Sequence, residues 1–233
     1  MRRRIVSWTL LVTFGLGSVV ALVPITATSV FAKCNPKSAT RTDDGHHYWD
    51  GWVRGPGTTV GGVGSDILNY SPWVNSGFTM SWTMVLYNSL YAQVGWIEQP
   101  FGTRSTFTEY TTSDGVWHRK YFNPQPTGLV SRYTTLYGNK PGLFSFWVNG
   151  SDIDDETAQF TPNLGKNQGE VSTYANQMAG GYNAHETFRN TQIYYSGAWH
   201  SFSGGGHTDA APFHYSTGDG GVYALDIWDE ACP

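Results

Sequence analysis

Phe78-Thr79-Met80-Ser81-Trp82-Thr83-Met84-Val85-Leu86 alternates large apolar residues with smaller, mostly polar ones, so Phe78, Met80, Trp82, Met84 and Leu86 share one face of an extended chain. A period of two predicts a β-strand, with the apolar face turned to the core. Working outward, strand-like runs recur at Tyr91 to Glu98, Ser105 to Thr111, Val116 to Phe122, Val130 to Tyr137, Leu143 to Asn149, Thr191 to Phe202 and Val222 to Trp228. Leu143 to Asn149 puts Phe144, Phe146 and Val148 on one side, Ser145 and Trp147 on the other. Asn149-Gly150 then supplies a tight turn. Glycine-rich stretches at Gly55 to Gly64, Gly204-Gly205-Gly206 and Gly218 to Gly221 read as surface loops.

Gln168 to Met178 is ambiguous. Val171, Tyr174, Ala175 and Met178 fit helical spacing, with Gly180 as a stop, whereas the β-prone Val171-Ser172-Thr173-Tyr174 favours strand over 168–175. At least eight short strands, without convincing helices or repeats, predict an all-β fold: a two-layer antiparallel β-sandwich or jelly roll.

Met1-Arg2-Arg3-Arg4, the apolar run from Ile5 to Val23 and the small residues around Ser29-Val30-Phe31-Ala32 predict a signal peptide over 1–32, leaving a single domain over 33–233. A membrane anchor is the rival reading of that run. Three of the 14 basic residues lie in 1–32 and none of the 18 acidic ones do, so the exported chain is more acidic than the formal −4 of the whole. With no Lys/Arg cluster, it has no electrostatic footprint for nucleic acid or an anionic membrane. Cys34 and Cys232 in a secreted, extracellular chain predict a disulfide; free thiols or a bridge between two chains are the alternatives to a monomer.

No serine sits in a Gly-x-Ser-x-Gly turn. Histidines at 46, 47, 207 and 214 cluster with Asp50 and Asp209, and His185-Glu186 lacks the second histidine of a zinc helix, so neither a metal nor another cofactor is expected. Asp152-Ile153-Asp154-Asp155-Glu156 could hold Ca²⁺ but lacks the EF-hand glycine and terminal glutamate, and a solvated turn is the expectation. Ten tryptophans and 14 tyrosines allow a glycan-stacking face, with Trp147 the ring to watch.

Gln93 shares a strand face with Tyr91, Gly95 and Ile97, and Glu170 shares one with Gln168, Ser172 and Tyr174. If those faces line one groove, a carboxylate could act as general base on a water that an amide positions. Ser81-Trp82-Thr83-Met84-Val85, Ala92-Gln93-Val94-Gly95, Phe107-Thr108-Glu109-Tyr110 and Gln168-Gly169-Glu170-Val171 together resemble the strand order of the eqolisins, the secreted glutamic peptidases. The resemblance implies a lectin-like, concanavalin-type sandwich, with Gln93 and Glu170 at the catalytic positions on its concave face. It implies a polypeptide substrate. Tyr91, Glu109, Trp147 and Tyr174 are the candidate substrate-binding residues, for a polypeptide or a glycan. Where the family has Trp after its catalytic Glu, Val171 and Ser172 stand here. The rival function from another class is a glycan-binding or structural surface module.

Overall fold

The computed structural model describes residues 33–34, 48–138, 140–173, 175–202, 213–217 and 224–232. In chain order the strands are β1 (Tyr48–Arg54), β2 (Val60–Leu68), β3 (Thr79–Tyr87), β4 (Leu90–Gln99), β5 (Thr103–Thr111), β6 (Trp117–Phe122), β7 (Val130–Tyr137), β8 (Leu143–Val148), β9 (Ser151–Thr157), β10 (Leu164–Val171), β11 (Gly180–Gly181), β12 (Ala184–Tyr195), β13 (Ala198–Ser201), β14 (Phe213–Ser216) and β15 (Leu225–Asp229). They form an all-β sandwich. One sheet runs β1-β10-β3-β4-β5-β6; the other runs β14-β15-β11-β12-β2-β7-β8-β9, with β13 paired to β12. Among the described residues no helix is long and apolar enough to cross a membrane. The expected signal peptide lies outside the described residues.

Between the sheets pack Val63, Ile67, Val94, Trp96, Phe144, Phe146, Phe188 and Ile193, all fully buried. Each contributes roughly 1.5–3 kcal/mol as an upper estimate. The hairpin of β8 and β9 turns on Asn149 and Gly150, both at positive φ, as their sequence demands.

Several expectations change. The apolar face of β3 is buried, yet it is not the side facing the second sheet. Met80, Trp82, Met84 and Leu86 form a separate cluster with Ile97 and Phe107, while Ser81 and Thr83 reach the opposite sheet through Glu186 and Thr135. Both faces of this central strand are covered, so alternation alone could not choose between them. Gly55 to Gly64 is not all loop. Its second half opens β2, in the middle of the larger sheet, because a Cβ on Gly61 would lie 2.4 Å from the Tyr194 ring and one on Gly64 2.9 Å from the Arg132 guanidinium.

Asp152 to Glu156 is strand, not turn. Thr108 and Lys120 bond Asp154, and Tyr110 and Lys120 bond Glu156, tying β5 and β6 to β9 across the sandwich. Thr191 to Phe202 is not one strand but the end of β12, a turn at Ser196 and Gly197, and β13.

Residues 168–171 are strand, but the chain turns after Val171. Asn176 stands in for a strand partner, donating to Ser76 O (2.7 Å) and Phe78 O (3.0 Å) and accepting from Asn75 N (2.8 Å). Gln177 accepts from Trp73 N (2.8 Å) and Cys34 N (3.2 Å). Cys34 itself is joined to Cys232 within the chain, with Cα atoms 5.5 Å apart.

Candidate functional site

The outer side of the six-stranded sheet carries a cleft of about 400 Å³, within the range of small-molecule sites. Strand register builds it in rows. In one row Lys166, Met84, Gln93, Glu109 and Arg119 stand abreast on β10, β3, β4, β5 and β6. Two residues along each strand lies the row Gln168, Trp82, Gly95, Phe107 and Tyr121; beyond it, Glu170 is level with Met80 and Ile97. Gly95 lets β3 and β4 approach there, since a Cβ would lie 1.9 Å from Ser81 O.

Glu109, 3 % exposed, is the hub. It accepts from Gln93 Nε2 (3.2 Å), from the Tyr91 hydroxyl and from the Arg119 guanidinium, with which it forms an ion pair. Arg119 lies over the rings of Phe78 (5.4 Å), Phe107 (5.4 Å) and Trp117 (4.8 Å). Burial works against the Arg119 charge, but Glu109 and Tyr121 outweigh it and raise its pKa. Burial, reinforced by Glu109 and more weakly by Glu170, pushes the Tyr91 phenol far up, so Tyr91 stays neutral and donates to Glu109.

Gln93 is 1 % exposed and its Nε2 must face Glu109, because a carboxylate only accepts; its Oε1 is then enclosed and, among the described residues, has no hydrogen-bond partner. The carbonyl of Gln93 is thus a buried acceptor left unengaged at the cleft wall.

Glu170 is half-buried and lines the same cleft. Ideal strand spacing puts its backbone about 13 Å along and 10 Å across from that of Gln93, before twist and side-chain reach shorten the gap. The structure therefore brings Tyr91, Gln93 and Glu109 into direct contact, with Glu170 farther along the cleft wall. Lys166, lowered by burial, also feels the Glu170 charge.

Trp147 is elsewhere, on the outer side of the nine-stranded sheet. Tyr174, His46, His47, His207 and Asp209 lie outside the described residues. His214 bonds Glu230 (2.9 Å), and His185 stacks on Trp228. Sequence reasoning missed Arg119, although Trp117, Arg119 and Tyr121 alternate on one strand face. Glu186 it weighed only as part of a zinc motif.

Glu186, 0 % exposed, sits between the sheets and accepts from Ser81 Oγ (2.6 Å) and Trp96 Nε1 (3.1 Å). Burial raises its pKa to about 8 against the opposing pull of those bonds and of Arg104. Among the described residues no cation bonds it directly, so the interior favours the neutral acid.

No protein-family model matches the chain, and no curated protein is similar to it in sequence. Solved structures do share the fold. Scytalido-glutamic peptidase with a peptide-based transition-state analogue superposes with a TM-score of 0.56 at 9 % identity, covering 81 % of this chain and 100 % of the peptidase. SCP-B, a member of the eqolisin family in complex with the tripeptide Ala-Ile-His, gives 0.54 at 8 % identity, with 81 % and 100 % covered. A Bacillus licheniformis beta-glucanase is matched at 0.38, with 14 % identity over 74 % of this chain and 67 % of the glucanase. The chain thus resembles the glutamic peptidases in fold.

Proposed function

We propose that this protein is a secreted hydrolase that cleaves peptide bonds in acid, working in the cleft of the six-stranded sheet as a single chain after loss of residues 1–32. One observation carries the reading: Gln93, buried with an unengaged carbonyl, and Glu170 line the same cleft of a fold that the glutamic peptidases share. A substrate strand lying along the cleft spans the distance between them.

Glu170 is the general base that takes a proton from the attacking water. It returns that proton to the departing amine. Gln93 offers its second amide hydrogen to the oxyanion that develops on the substrate carbonyl. Tyr91, Glu109 and Arg119 fix the Gln93 amide, which saves reorganisation when charge develops. The disulfide suits an oxidising compartment. The neutral interior Glu186 suits an acidic one.

The test is hydrolysis of a denatured protein by the purified chain, scanned from about pH 2 to pH 7, beside Glu170→Gln and Gln93→Ala. The expected result is acid activity that falls by about 10²–10⁴ in kcat in each variant. A folded wild type without activity, or activity indifferent to both substitutions, overturns the reading.

A further inference from the structure

The outer side of the nine-stranded sheet carries a second depression, of about 560 Å³, facing away from the cleft. Its floor and walls follow from register. One row across the sheet is Trp199, Tyr194, Gly62, Leu136, Ser145 and Asp155. The next is Gln192, Gly64, Thr134 and Trp147. The glycines of β2 leave the floor low. The Tyr194 ring lies against Gly61, at 2.4 Å from where a Cβ would be, and Trp199 closes over Gly62 at 3.4 Å. Tyr194 and Trp199 meet at 5.4 Å with a tilt of 60°. Trp147 stands three strands away, about 14 Å across the sheet. Its Nε1 is enclosed and, among the described residues, has no hydrogen-bond partner.

We propose that this depression binds a neutral, β-linked oligosaccharide. Hexose rings with equatorial hydroxyls expose flat CH-rich faces that stack on aromatic rings, and a rim of hydroxyls that need polar partners. Both are provided here: ring surface at the two ends, with Ser145, Asp155 and Lys140 between and beside them. One acid and one base leave no net charge to select a polyanion or polycation. The separation of the two aromatic ends calls for several linked sugars rather than one. The site is independent of the hydrolase reading: it shares no residue with the cleft.

The test is isothermal titration of the full purified chain with cellohexaose, using Trp199→Ala and Glu170→Gln as variants. Trp199 is 40 % exposed, so its truncation leaves the core intact. Binding weakened at least about tenfold by Trp199→Ala and unchanged by Glu170→Gln is the expected result. Hydrogen exchange on the wild type, independent of any variant, should show cellohexaose protecting residues 136–147 and 194–199. Absence of binding by the folded chain, protection confined to the cleft strands, or displacement of cellohexaose by a denatured protein substrate would each overturn the proposal.

Discussion

Glu186 makes the fold itself pH-dependent in an unusual direction. Its carboxyl ionises at about 8 in the folded chain against an ordinary 4.5. Below that ordinary value both folded and unfolded chains hold the proton, and the group costs nothing. Between the two values the unfolded chain releases its proton while the folded chain keeps it, so the folded state binds more protons and stability falls as pH rises. The slope is about 1.4 kcal/mol per pH unit and the full loss, reached above the folded pKa, about 5 kcal/mol at most.

Glu186 feels the Arg104 charge and acts on Tyr70 and Tyr133, and Asp229 also acts on Tyr70. Burial pushes Tyr70 up to about 12 and raises Tyr133 as well, so neither titrates in this window. Glu186→Gln keeps the geometry, since an amide oxygen accepts from Trp96 and an amide nitrogen donates to Ser81. Urea unfolding followed by tryptophan fluorescence at about pH 5 and pH 8 should show wild type losing about 3–4 kcal/mol relative to Glu186→Gln. Parallel pH profiles for the two proteins would refute the assignment of a neutral interior carboxyl.

Replacing Arg119 by Leu leaves Glu109 buried without its cation, and denaturant unfolding should show a loss of about 3–5 kcal/mol at neutral pH. A loss below about 1 kcal/mol, the range of an exposed pair, would count against the buried ion pair as the cause. Opening the Cys34–Cys232 bridge by Cys34→Ser should cost up to roughly 4–5 kcal/mol in the chain-entropy account of so long a loop. A midpoint unchanged by the substitution would mean that the loop closure contributes nothing to stability.

The alternation at residues 78–86, the turn signal of Asn149-Gly150 and the pair of cysteines were enough to specify strands, a hairpin and a loop closed from Cys34 to Cys232. These are local or compositional signals, and nothing distant can erase them. What could not be read was which neighbour each face meets. The glycines at 61, 62 and 64 look like loop until Tyr194, Leu136 and Arg132 are laid over them, and Asp154 and Glu156 look solvated until Lys120 arrives from another strand. Glu186 sits in an ordinary polar stretch, and only the approach of Ser81 and Trp96 from the opposite sheet makes it an interior acid. In the cleft, the sequence nominated Gln93 and Glu170 as members of polar strand faces. It was register, a property of paired strands and not of either strand alone, that set Gln93 against Glu109 and put Glu170 four residues along the cleft.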